Sequence, residues 1–176
     1  MAVSIRELLT GGTRQSLGRS GEAVSVVAER PEEFVALMAC LWDEDPVVRM
    51  RAADAVEKVT RDRPDLLQPY KRELPGLARE AVQQELRWHL ALMLPRLKMS
   101  ASERRRAYDS LRVYLEDRGS IVRTHAMQGL ADLARQDAAL RAEVVETIRE
   151  LTRSGTAAMK ARGRKLLREL TFSQPE

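Results

Sequence analysis

The sequence predicts an all-α chain, a right-handed α-solenoid of about four helix pairs, and three observations carry that prediction. First, a short motif recurs four times: Val48-Arg49-x-Arg51-Ala52, Leu86-Arg87-x-His89-Leu90, Val122-Arg123-x-His125-Ala126 and Met159-Lys160-x-Arg162-Gly163, the basic residue returning at spacings of 38, 36 and 37 residues. A period in this range marks stacked units, each of which needs a neighbour to bury its apolar face. Second, two apolar columns keep that register, Val56/Leu94/Leu130/Leu167 and Val59/Leu97/Leu133/Leu170. Third, hydrophobic residues are 44%, charged residues 32% and aromatics only 4% of the 176 residues. That is the balance of an Ala/Leu/Glu/Arg-rich helical protein, long enough to bury a core without disulfides or metal.

The elements follow in order. Ile5 to Leu9 suggest one or two helical turns, the Gly/Ser-rich residues 11–21 a loop, and residues 22–30 a short helix. Residues 1–30 fit the repeat poorly and are expected to be an N-terminal helical cap and loop, because the end unit of a stack must hide an apolar face. Pro31 opens the first helix of unit one at the position where proline is tolerated. Asp43-Glu44-Asp45-Pro46 then supplies a break, an N-cap and a second proline start. Arg63-Pro64-Asp65 separates units one and two, and residues 79–82 hold the turn inside unit two. Pro95 should shorten or kink the second repeated helix near Leu94, since the residue before proline disfavours α geometry. Ser100-Ala101-Ser102-Glu103 reads as a capping box opening unit three. Gly119-Ser120 and Gly155-Thr156 mark the later inner turns. The preceding helix aligns between units one and three, pairing Phe34 with Tyr108, Leu37 with Leu111, Leu41 with Leu115 and Asp43 with Asp117, so the unit is a pair of helices. Residues 31–172 form one repeat domain, and residues 173–176 are expected to be a disordered tail.

Asp43-x-Asp45-Pro46-x-Val48-Arg49, followed by Ala52-Ala53 and Ala55-Val56, resembles the HEAT-repeat family, and the resemblance covers residues 31–170. It implies a solenoid with the first helices on the convex side and the second helices on the concave side. Units two to four lack Asp-Pro, carrying Gln83-Gln84, Gly119-Ser120 and Gly155-Thr156, so their assignment rests on periodicity. The resemblance also implies that the row Arg49, Arg87, Arg123 and Lys160 bonds aspartates and turn carbonyls of neighbouring units. The family includes scaffolds, carriers, nucleic-acid binders and a few enzymes, and a fold does not select among them.

Six residues form the candidate partner-binding surface: Met50, Arg51, Trp88, His89, Leu92 and His125. Where unit one has Met50, Asp54 and Glu57, unit two has Trp88, Leu92 and Pro95, so this helix is apolar nearly all round. Such a helix is either buried or presents an apolar binding surface. In the second case Met50, Trp88 and Leu92 form a patch bordered by Arg51, His89 and His125, the aromatic and Arg composition of interface hot spots.

The two histidines one repeat apart have no carboxylate or Cys in their column, so no metal is expected. The single Cys40 sits among Leu37, Met38 and Leu41 and is read as a buried structural thiol, which suits a reducing compartment. No secretion signal or membrane-length apolar run is visible, and a cytoplasmic protein is expected. No Gly-rich phosphate loop, serine elbow, HExxH or cysteine pair is present, so neither enzyme activity nor a cofactor is expected. Asp54, Trp88 and Arg51 imitate the concave set of certain HEAT-like DNA glycosylases, but the chain is shorter and lacks their broad basic surface.

The formal charge is +4, and residues 156–170 account for all of it, with Lys160, Arg162, Arg164, Lys165 and Arg168 against Glu169 alone. Two functions therefore compete. The first is a protein-interaction scaffold or adaptor that grips a protein segment in its concave face. The second is a nucleic-acid binder using the basic terminal helix, with Arg162, Lys165 and Arg168 as phosphate ligands, and Arg104-Arg105-Arg106. A charge run is more often a solvated face, and few aromatics are available for base stacking, which favours the scaffold.

Overall fold

The computed structural model of the chain describes residues 3–172, and the expected tail at 173–176 lies outside the described residues. The described residues are all-α, without strands. Helix α1 (Ile5–Leu9) and helix α2 (Ser20–Glu29) are followed by α3 (Phe34–Ala39), α4 (Pro46–Asp62), α5 (Glu73–Glu80), α6 (Gln84–Met93), α7 (Ala101–Tyr114), α8 (Ser120–Gln136), α9 (Ala138–Ser154) and α10 (Ala157–Phe172). Tighter 3₁₀ turns at Pro31–Glu33, Cys40–Trp42, Pro64–Tyr70 and Leu94–Arg96 join them.

The punctuation acts where the sequence places it. Asp45 caps α4 by accepting from the Val47 amide at 2.8 Å, with Pro46 at the first position. Ser100 and Glu103 form the reciprocal capping box of α7. Pro95 ends α6 at Met93 and leaves a 3₁₀ turn, as loss of a backbone donor requires. The aligned Asp43 and Asp117 each accept from the amide two residues on, at 2.9 and 2.8 Å, making the same turn in units one and three. The first helix of unit one is shorter than periodicity predicts, flanked by 3₁₀ turns on both sides. Helix α2 begins two residues early, because Ser20 is buried and donates to Asp54 at 2.9 Å.

Packing follows the repeat. Helix α4 lies on α6, α6 on α8 and α8 on α10, while α7, α9 and α10 close each later pair. Helix α2 heads this row by packing on α4, so the N-terminal segment joins the row of second helices directly. One hydrophobic cluster runs from Ile5 to Leu170 and contains Val56, Leu94, Leu130, Leu97, Leu133 and Leu170. Val59 and Leu167 border it, partly buried. Cys40 is buried and donates to the Ala36 carbonyl, the structural role its apolar neighbours indicate.

Close approach of α6 and α8 depends on Gly129. A Cβ there would lie 2.3 Å from the Ala91 carbonyl oxygen and 2.8 Å from Leu111 Cδ1. The backbone cannot yield as a flexible side chain does, so glycine sets how near the two helices come.

Candidate functional site

The basic row does different work at each step. Arg49 donates to the carbonyls of Asp43 (2.6 Å) and Glu44 (3.1 Å) and to Gln83 Oε1 (3.1 Å) of the next unit. Arg87 donates to the Ala81 carbonyl and to the Asp117 carboxylate, each at 2.6 Å, and lies over the Tyr114 ring. Each thereby ties its own turn to the following unit. The Asp43 carboxylate is taken instead by Arg6, and that of Asp45 by the α4 cap. The buried Arg123 Nε has no hydrogen-bond partner, so the row does not extend unchanged to unit three.

The six residues proposed from sequence divide. Met50 and Arg51 are each only 3% exposed. The Arg51 guanidinium donates to the carbonyls of Leu9, Thr10 and Ser16 at 3.0 Å and of Thr13 at 3.5 Å, which fixes the loop between α1 and α2 over α4. Arg14 of that loop pairs with Glu85 at the start of α6. His89 is also buried, with Nδ1 unpartnered, and desolvation lowers its pKa to about 4, so its ring is neutral at pH 7. Trp88 is half-buried against the core, its ring 5.7 Å from that of His89. Leu92 and His125 are half-buried and line one groove. The glycosylase-like set does not converge on an open surface, since Arg51 is committed to the loop and Asp54 to Ser20 and Lys58.

That groove has a volume of about 610 Å³ and crosses α4, α6, α8 and α10. Leu92 and Pro95 supply apolar surface; His125, Gln128 and Asp132 enter from one stripe of α8, and Arg162 from α10. Their spacing of three or four residues puts the α8 side chains on one face. Glu57, outside the six residues expected from the sequence, also lines the groove; it is 3% exposed and held by Arg61 at 2.6 Å and Arg96 at 2.5 Å. Burial opposes its ionisation, yet the two guanidinium groups outweigh that cost and hold the carboxyl below its usual range. The Glu57–Arg61 spacing was visible; Arg96 arrives only through the turn Pro95 imposes.

Asp132 behaves differently. Burial is the largest influence and raises its pKa, although Arg135 and Gln128 bond it. Arg135 also reaches Glu169 on α10. Arg162 donates to Gln128 Oε1 at 2.7 Å, a neutral partner, so its charge is not cancelled by that bond. His125 Nδ1 lies 2.8 Å from the Ile121 carbonyl; because a carbonyl only accepts, Nδ1 is the donor.

The expected phosphate ligands separate in the same way. Arg162 belongs to the groove, whereas Lys165 and Arg168 are exposed on the outer side of α10. Leu166 and Leu170 of the same helix are buried in the core. The Arg104-Arg105-Arg106 run also splits: Arg104 bonds Met99 O and Asp137, Arg105 pairs with Glu143 and covers the Tyr108 ring, and Arg106 is exposed. Among the described residues no group of three or more His, Cys, Asp or Glu is arranged to hold a metal, and no helix is long and apolar enough to cross a membrane. No protein-family model matches the chain, and no curated protein matches it.

Proposed function

We propose that the chain is a HEAT-like, right-handed α-solenoid acting as a non-enzymatic interaction scaffold, with a protein segment bound along its second helices. The single observation that carries this is the groove over α4, α6, α8 and α10, where an apolar strip at Leu92 and Pro95 lies beside the incompletely neutralised Arg162. An apolar anchor beside a directional cation suits a helical or extended segment with an acidic residue near an apolar one. The sequential stacking of the second helices supports the solenoid reading. The binding surface is centred on Leu92, His125 and Arg162, with Trp88 beside it; Met50, Arg51 and His89 are buried and do not line the groove. The expectation of a cytoplasmic location is part of the same proposal.

Selection from a random-peptide display library tests it, with counter-selection on Leu92→Asp and Arg162→Glu variants. Enriched peptides should pair an acidic with an apolar residue and lose at least tenfold in affinity on either variant. Titration with mixed-sequence DNA and RNA at low and physiological salt is the second arm, because phosphate binding falls steeply with salt. Tight nucleic-acid binding that survives physiological salt, or no peptide that depends on the groove, overturns the proposal.

A further inference from the structure

We propose that a second site, on the other row of helices, binds a small organic anion with an apolar body. Helix α5 has only 8 residues, against 14 in α7, and between them lies a cleft of about 540 Å³. Ligand sites are commonly about 300–1,000 Å³. Two stripes line it, with residues three or four positions apart: Arg72 at the N-cap of α5 with Gly76 and Arg79 on that helix, and Arg106, Ser110 and Val113 on α7. Pro75 and Met99 complete the apolar part.

The charges around this cleft differ from those in the groove. In the groove Glu57 is held by two arginines, and Asp132 by Arg135. In the cleft both carboxylates are engaged by other cations: Glu103 pairs with Lys71 at 2.8 Å and caps Ser100 N at 2.7 Å, and Asp109 pairs with Arg105 at 3.4 Å. Arg72, Arg79 and Arg106 have no carboxylate within ion-pair distance among the described residues. Three uncompensated guanidinium groups thus ring one apolar floor, and guanidinium is the side chain best shaped to hold a carboxylate or sulfonate through paired hydrogen bonds.

Gly76 keeps the floor open. Its missing Cβ would meet nothing within 4 Å, in the middle of a helix that alanine would favour. The guanidinium groups surround a single hollow instead of forming an extended track, which matches a small molecule better than a polynucleotide backbone.

Fluorescence titration with 8-anilinonaphthalene-1-sulfonate tests the site, since that probe joins an apolar body to one anionic group. Saturable one-to-one binding is expected, displaced by dodecanoate but not by dodecyltrimethylammonium, which has the same tail and opposite charge, nor by inorganic phosphate at the same concentration. The exposed triple replacement Arg72→Gln/Arg79→Gln/Arg106→Gln should weaken binding at least tenfold, and Gly76→Phe should abolish it by filling the floor. Leu92→Asp, in the separate groove, should leave it unchanged. Circular dichroism establishes that Gly76→Phe remains helical; if it unfolds, the arginine triple decides alone. Unsaturable binding, equal displacement by the cation or by phosphate, or affinity unchanged in the arginine triple overturns the proposal.

Discussion

The Arg51 guanidinium fills the space that a side chain at Gly18 would need. A Cβ on Gly18 would stand 2.6 Å from Arg51 Cζ, and Gly18 has φ +52°, in the left-handed region. Elsewhere the end of an arginine side chain could move aside; here four carbonyl oxygens of the loop hold it. The N-terminal loop and the first repeated helix are thereby locked together.

Gly18→Ala should destabilise the chain by about 1–2 kcal/mol through the left-handed backbone, plus the displacement of Arg51. Arg51→Ala should cost about 2–4 kcal/mol, because it strips a buried charge-assisted donor from several carbonyls. Urea unfolding of both single variants and the double variant measures the coupling. If the Gly18→Ala cost is the same with and without Arg51, the steric relation has no energetic weight.

The basic row should be uneven. Arg87→Ala loses a carbonyl and a carboxylate partner and should cost about 1–3 kcal/mol, as should Arg49→Ala. Arg123→Ala should cost less, because its buried Nε is already unpartnered. Thermal melts of the three variants rank them, and an Arg123→Ala loss as large as that of Arg87→Ala contradicts the geometry.

His89 gives the fold an acid sensitivity. Its folded-state pKa is about 4, below the ordinary 6.5, so between those values the unfolded chain holds the extra proton. Stability from this group is therefore complete above pH 6.5 and falls as the pH drops toward 4, by about 3 kcal/mol over the full window. Replacing His89 with Leu removes that proton linkage. Between pH 7 and pH 4 the parent should lose about 3 kcal/mol more than His89→Leu in urea unfolding; parallel pH profiles would falsify the assignment.

Two glycines inside helices should respond in opposite directions to alanine. Gly129→Ala drives a Cβ into the Ala91 carbonyl and should cost about 2–3 kcal/mol by separating α6 from α8. Gly76→Ala meets open space and should stabilise by about 0.5–1 kcal/mol through helix propensity alone. Denaturant midpoints of the two variants should shift in opposite senses.

Local chemistry was legible in the sequence because each signal needs only near neighbours. The Asp45 cap and Pro46 start, the Ser100–Glu103 box and the α6 terminus before Pro95 are set within a few residues. The columns through Leu94 and Leu130 were legible too, since a helix turns a fixed angle per residue and a repeat returns the same face. The candidate site was legible only in part: Leu92, His125 and Arg162 meet in one groove as side chains of successive second helices. Arg51 looked identical to a surface residue, because burial comes from a loop 35 to 42 positions away in sequence. The cleft between α5 and α7 had no sequence signature, since its two walls come from segments about 30 residues apart along the chain. Helical periodicity thus fixes which side of a helix is apolar. Only the tertiary structure decides which polar side chains are covered, paired or left with uncompensated charge, because each of those depends on the distance to segments remote along the chain.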